Sequence, residues 1–329
     1  MRKKLFNTTF AGLKLSSPII IASSGLTDTV TKNKELEKVG AGAIVLKSLF
    51  EEQITMQSAT LINEQTDSYP ESKDYIYNYI RTNQVSSYLE LIQKTKQKCS
   101  IPIIASINCY QDNSWVDFAH QIERAGADAI ELNIFALDTE RNSGNNSLEE
   151  ASVKIVRKIK ETVRIPVIIK MSKYFSRIVN LIDNLRIAGA DGIVLFNRFY
   201  QPDIDINTLQ ASSGPLFSCH TDLSDTLRWT AIVDGKLPGV SLASSTGVHD
   251  AEDMIKCILC GAFAVEICST VYQHGYEIIA AMKRNLEEWM LGMNFQSIAD
   301  FRGMMNSRNI EDSSVYERSQ FMKYFSNRD

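Results

Sequence analysis

Nothing in this chain of 329 residues approaches the roughly 20 consecutive apolar residues that a membrane-spanning helix needs. The run Ile19–Ala22 is only a strand's length. After Met-Arg-Lys-Lys the sequence turns to Leu-Phe-Asn-Thr-Thr-Phe, too polar for the core of a signal peptide. Blocks of like charge are also missing. The 35 basic and 39 acidic residues are mixed along the chain, leaving a net charge of −4 and no basic track for a nucleic acid. Histidine is scarce, with four in all, and no H-E-x-x-H occurs. Six cysteines include a lone C-x-x-C, Cys257 and Cys260, within the helix-like stretch Met254–Gly261. No second pair completes a zinc or iron–sulfur site, so core packing is the reading for both. A cytoplasmic protein without metal, membrane or nucleic-acid partner is expected.

What is present is the material of an ordinary globular fold, 44% hydrophobic and 22% charged, enough for a sizeable core. A short motif recurs. Val39-Gly-Ala-Gly-Ala-Ile-Val-Leu-Lys47 is echoed by Arg124-Ala-Gly-Ala-Asp-Ala-Ile-Glu-Leu-Asn133. It returns as Ile187-Ala-Gly-Ala-Asp-Gly-Ile-Val-Leu-Phe-Asn197 and as Leu259-Cys-Gly-Ala-Phe-Ala-Val-Glu-Ile-Cys268. Each copy reads as a helix end, a tight turn at Gly, then an apolar strand of the kind buried on both faces in a parallel sheet. Between the copies lie strands opened by Pro or Gly.

The order predicts strands near 18–22, 42–47, 102–107, 128–134, 166–171, 191–197, 239–243 and 263–268. Helical stretches such as Val116–Ala125, Glu149–Val163, Arg177–Ala188 and Ala251–Leu259 alternate with them. Eight such units close into a single α/β barrel, a (β/α)8 TIM barrel over residues 1–305, with residues 306–329 a polar C-terminal extension. An open doubly wound sheet usually begins with G-x-G-x-x-G after its first strand, and Ala22-Ser-Ser-Gly-Leu-Thr-Asp is not that turn. Long loops, residues 48–85 and 198–230, follow strands two and six on the C-terminal face, where barrel enzymes place their chemistry.

That face collects Ala22, Ser23, Lys47, Ser48, Asn133, Lys170, Asn197, Thr246, Gly247, Ser269 and Thr270. Ser and Asn are common at any wet strand end. Two lysines are less expected there, because a buried ammonium needs an anionic partner. A ligand could supply it, and so could Glu131 or Glu266. The hydroxyl-rich loops after strands seven and eight are where such barrels hold phosphate.

These residues resemble the dihydroorotate dehydrogenases, especially the soluble class, from Leu5 to about Met304. The likeness is carried by Asn7-Thr-Thr-Phe-Ala, Ser17-Pro with Ala22-Ser-Ser-Gly25, Gly40-Ala-Gly-Ala with Lys47-Ser48, and Glu131-Leu-Asn133. It continues through Pro166-Val-Ile-Ile-Lys170, Leu259-Cys-Gly-Ala262 and Gln296-Ser-Ile-Ala-Asp-Phe-Arg-Gly303. The resemblance implies FMN across the barrel mouth. Ala22 and Ser23 would border the ring, Lys47 and Asn133 would contact flavin and substrate, and Lys170 would face the N1/O2 edge. Asn197 would face the substrate, and Thr246, Gly247, Ser269 and Thr270 would hold the phosphate.

The sequence departs from the family where dihydroorotate chemistry is done. Ala136 stands where the family places its base, and Asp138 replaces a substrate-binding Asn. The family's Asn-rich loop has no counterpart in Asn63–Tyr79, and Thr246 replaces a usual Gly.

The expected activity is therefore an FMN-dependent oxidoreductase acting on CH–CH bonds of an unidentified, differently shaped or uncharged small molecule. Lys170, Asn133, Asn197 and Lys47 would be its catalytic residues, and Cys109, Tyr200 and His220 are candidates for a relocated base. Two alternatives stand beside it: dihydroorotate oxidation in pyrimidine biosynthesis with a relocated base, and a flavin-binding sensor without turnover. The electron acceptor is unknown, and the resemblance allows a homodimer.

Overall fold

The computed structural model describes residues 5–50, 70–108, 114–134, 137, 139, 148–199 and 201–317. An antiparallel hairpin, β1 (Thr8–Phe10) and β2 (Leu13–Leu15), precedes a closed sheet. The strands are β3 (Ile19–Ile21), β4 (Ala43–Val45), β5 (Leu49–Phe50), β6 (Ile103–Asn108), β7 (Ala129–Ile134), β8 (Val167–Met171) and β9 (Gly192–Leu195). After a second hairpin, β10 (Pro202–Asp205) and β11 (Gln210–Ser213), come β12 (Leu242–Ser245) and β13 (Ala264–Ile267). Neighbours run β4-β3-β13-β12-β9-β8-β7-β6, and β4 also pairs with β6, so eight parallel strands close into a barrel. The short β5 adds to the upper end of β6, with Phe50 opposite Asn108.

The recurring motif is a repeated helix stop. In all four copies the glycine (Gly40, Gly126, Gly189, Gly261) has a positive φ between 91° and 123°. Its N–H returns to the carbonyl three residues back, and the following alanine's N–H reaches five back, as in Ala41 to Leu36 and Ala262 to Cys257. That is the Schellman geometry, which glycine adopts without steric penalty. The next residue then enters the ladder: Gly42, Asp128, Asp191 and Phe263 donate to Ile19, Ile103, Val167 and Leu242. The prolines at strand starts lose a donor but keep an acceptor. Pro18, Pro102 and Pro166 take N–H groups from Val265, Ile44 and Ile130.

Inward-facing residues alternate along each strand, and the lowest layers are apolar. Ile20, Ala43, Val45, Ile104, Ala129, Ile168, Val194, Ala243 and Ala264 pack with Phe10, Ala11 and Leu15 of the first hairpin, which plugs the barrel floor. The sequence reading did not foresee this plug. It also placed strand seven too early, because Gly239 makes a turn (φ 92°) rather than opening β12. The expected loop 48–85 is helical where its second half is described, since a helix spans Pro70–Lys98 and buries Ile80, Tyr88 and Ile92, while residues 51–69 lie outside the described residues. Those positions have helical spacing, which a largely polar stretch obscures. The loop after strand six carries the exposed hairpin β10–β11. Beyond residue 305, Asn306 is buried and donates to Asp234 (2.7 Å). Cys257 and Cys260 are buried free thiols, as core packing requires. Among the described residues no helix is long and apolar enough to cross a membrane.

Candidate active site at the barrel mouth

Above the apolar layers the interior becomes polar. Inward positions two residues further along the strands carry Ser106 on β6, Glu131 on β7, Lys170 on β8, Ser245 on β12 and Glu266 on β13, all buried. Lys170 Nζ donates to Glu266 Oε2 at 2.8 Å, and their side chains are 8% and 0% exposed. The expected need for an anion beside this ammonium is thus met inside the protein. Burial opposes the charge of Lys170, but Glu266 and then Glu131 outweigh it and hold the ammonium above its usual range. Burial, then the Glu266 charge, hold Glu131 well above the usual carboxylate range.

A cavity of about 580 Å³ opens over this layer, within the roughly 300–1,000 Å³ common for small-molecule and cofactor sites. Seven of the expected residues line it: Ala22, Ser23, Lys170, Asn197, Thr246, Gly247 and Ser269. Four stand back from it. Asn133 accepts a hydrogen bond from Asn197 Nδ2 and so fixes that amide. Ser48 is buried, bonded to Ser23 Oγ (2.8 Å) and Ser106 Oγ (2.7 Å). Thr270 gives its hydroxyl to the Val248 carbonyl (2.6 Å). Lys47 is exposed between β4 and the short β5 and is not among the residues lining the cavity.

The turn after β12 has little freedom. Gly247 has φ 87°, and a Cβ there would lie 2.3 Å from the Leu223 backbone nitrogen. Thr246 also lies in the left-handed region (φ 75°), an uncommon place for a β-branched residue. Its hydroxyl donates to the Phe196 carbonyl (2.9 Å), and Thr226 Oγ1 donates to the carbonyls of Ser245 and Thr246.

The outer wall comes from the loop after β9, which the sequence reading identified only as a long connection. Arg198, Phe199, Gln201 and residues 213–218 line the cavity with Tyr272, whose ring stacks on Phe217. Arg198 Nη1 donates to the carbonyls of Pro215 and Leu216 (both 2.9 Å) and its Nε faces Asp222 at 3.6 Å, which holds the loop in place. Ser218 pins the loop's end, with its N–H donating to Ser269 Oγ and its hydroxyl facing His249 Nε2 at 3.1 Å.

His249 is buried and was missed in the sequence, where a lone histidine after a turn carries no signal. His220, proposed as a base, is not among the lining residues: its ring is exposed and Nδ1 bonds Asp253 at 2.7 Å. His220, Asp250 and Asp253 bring ligand-type atoms within 4.8 Å, but both aspartates already accept hydrogen bonds from backbone or histidine N–H groups. Ala136, Asp138, Cys109 and Tyr200 lie outside the described residues, as do residues 63–69.

Burial, and then the neighbouring His220, lower the pKa of His249. An unfolded chain would therefore bind a proton that the folded chain resists, so stability should fall as pH drops through the ordinary histidine range near 6.5. Urea titrations between about pH 7.5 and about pH 5 should show this loss, and His249→Gln should flatten it. An unchanged slope in the variant would mean another group is responsible.

A family model for dihydroorotate dehydrogenase matches residues 5–290. The chain belongs to the dihydroorotate dehydrogenase family. Among its relatives is a "Dihydroorotate dehydrogenase B (NAD(+)), catalytic subunit" of Thermoplasma volcanium, 29% identical over 92% of this chain and 99% of the relative. A protein of the same description from Methanocaldococcus jannaschii is 26% identical over 84% of the chain and 91% of its own length. The "NAD-dependent dihydropyrimidine dehydrogenase subunit PreA" of Escherichia coli is 22% identical over 97% and 81%. The cavity lies at the mouth of the barrel, and the Lys170–Glu266 pair is part of its inner wall.

Proposed function

We propose that this barrel mouth holds FMN and that the protein is a dihydroorotate dehydrogenase-like flavin oxidoreductase acting on a CH–CH bond of a small, uncharged molecule. The observation that carries this reading is the lining of the cavity at the barrel mouth, which combines two kinds of surface. One is the turn of Thr246 and Gly247 with Ser269, and the other is the buried pair Lys170–Glu266 with Ala22, Ser23 and Asn197. The turn suits a phosphate because it follows the seventh barrel strand and, with Ser269 at the start of the short helix after the eighth, offers hydroxyls and bare backbone where barrels of this kind hold phosphate. When bound, FMN would supply hydride transfer.

The residues of this chain bind, orient and exclude water. Asn133 holds the Asn197 amide toward the cavity, and Arg198 fastens the loop that walls it from solvent. Both cations lining the cavity are engaged, Lys170 by Glu266 and Arg198 by two carbonyls with Asp222 nearby. Among the described lining residues no uncompensated cation remains for a carboxylate, which favours an uncharged substrate over dihydroorotate. The same reading places an electron acceptor outside the chain, in keeping with relatives that are named as subunits.

The test is direct. The purified protein should be yellow or take up added FMN, and dithionite should bleach it. A protein that neither carries nor accepts FMN would sink the proposal. Anaerobic addition of dihydroorotate should leave the flavin oxidised, whereas neutral dihydropyrimidines are the first compounds to try as reductants. Bleaching by dihydroorotate would overturn the uncharged-substrate reading.

A further inference from the structure

Among the described residues, three buried carboxylate oxygens behind the cavity have no hydrogen-bond donor: both oxygens of Glu131 and Oε1 of Glu266. Burying an acceptor without a partner is unfavourable, and burying a second ionised carboxylate beside a single ammonium is more so. Glu131 and Glu266 both lie on inward positions of the same polar layer and both face Lys170, whose ammonium, among the described residues, bonds Glu266 Oε2 alone.

One proton resolves most of this. If Glu131 is a carboxylic acid, its O–H can donate to the orphaned Glu266 Oε1, while Glu266 Oε2 keeps Lys170. We infer that Glu131 and Glu266 share a single buried proton, so that Lys170, Glu266 and Glu131 together present no net charge to the cavity. The burial that raises Glu131 acts in the same direction. The other titratable groups facing the triad do not supply a charge. Cys268 is kept a thiol by its own burial. Tyr88, from the Pro70–Lys98 helix, is a buried phenol engaged with the Ser106 backbone at 2.7 Å and 3.1 Å.

The consequence concerns what may sit against Lys170. A lysine at full charge attracts an anion, whereas this compensated one offers a hydrogen bond to a neutral acceptor such as a ring carbonyl. Glu131 and Glu266 are then positioning residues that act through Lys170. The role toward flavin rests on the function proposed above, but the shared proton does not.

Two measurements test the inference separately. In the ligand-free protein at neutral pH, infrared spectra should show the carbonyl band of a protonated carboxylic acid that shifts in D2O. Glu131→Gln and Glu266→Gln should each abolish it, because either remaining carboxylate pairs with Lys170 without needing a proton. An ordinary buried acid at Glu131 would keep its band in E266Q. No band in the wild type, or a band surviving in either variant, would overturn the pair.

With FMN bound, each single variant should leave the midpoint potential within about 15 mV, a threefold change, since the triad stays neutral. The double variant leaves Lys170 uncompensated. At about pH 6, where that ammonium stays charged, it should raise the potential by about 60 mV, a hundredfold shift toward reduced flavin. A double variant equal to wild type, or two singles that sum to the double, would overturn the charge argument. Failure to bind FMN would count against the proposed function and leave the infrared result to decide the shared proton.

Discussion

Replacing Lys170 by Met should destabilise the protein by about 3–5 kcal/mol near neutral pH, the usual cost of removing one partner from a buried ion pair. The shape of the side chain is nearly kept, so the loss reports charge rather than volume. Glu266 would remain buried with no ammonium, and Glu131 would still lie nearby. Glu131, already held above the usual carboxylate range by burial and then by the Glu266 charge, would lose the opposing ammonium and be held higher still. A group of that kind contributes stability below its unfolded pKa and loses it as pH rises. The penalty in Lys170→Met should accordingly shrink toward pH 5 and grow toward pH 8, the reverse of what His249 predicts for the wild type. Adding Glu266→Gln should restore most of the stability, since one acid then remains and can keep its proton. Urea unfolding of wild type, single and double variants at several pH values measures all of this. A Lys170→Met protein as stable as wild type at pH 8 would mean that the ion pair matters little to the fold.

If the turn of Thr246 and Gly247 holds the FMN phosphate as proposed, Gly247→Ala should act on cofactor binding as well as on stability. The methyl group would need to displace the Asp222–Leu223 backbone from a turn that already lies at positive φ. Strain and overpacking of this kind cost about 2–3 kcal/mol. If the turn relaxes by withdrawing from the cavity, FMN affinity falls by about a hundredfold. Riboflavin, which lacks the phosphate, should lose much less, so the preference for FMN over riboflavin should narrow. Equal losses for the two flavins would place the phosphate elsewhere.

The barrel was legible because its signals are local. Four Gly-Ala turns, three strand-opening prolines and unbroken apolar strands each depend on a few neighbouring residues. The site was legible only as a set of strand ends. That Lys170 meets Glu266, 96 positions away, follows from barrel closure and register, which no local pattern encodes. Lys47 was expected at a strand end, whereas β4 ends at Val45 and Lys47 lies exposed in the connection to β5. The hairpin β10–β11 is short and exposed on most of its residues, so it lacks the alternation that announces a strand. His249 and the latch at Ser218 became visible only when two distant loops were brought together.

The plug at the barrel floor has a consequence for how the chain is made. Its partners come late in synthesis. Ala11 donates to Ser241 Oγ, Thr8 to the Phe263 carbonyl, and Ala11 lies where any side chain on Gly192 would have to go. A segment made before the barrel strands is therefore among the last to find its place, because its hydrogen-bond partners and part of the apolar layer around Phe10 belong to the last three strands. Nascent chains should remain protease-sensitive and dependent on chaperones until β12 and β13 emerge. A bulky N-terminal fusion would burden that final docking step more than a C-terminal one.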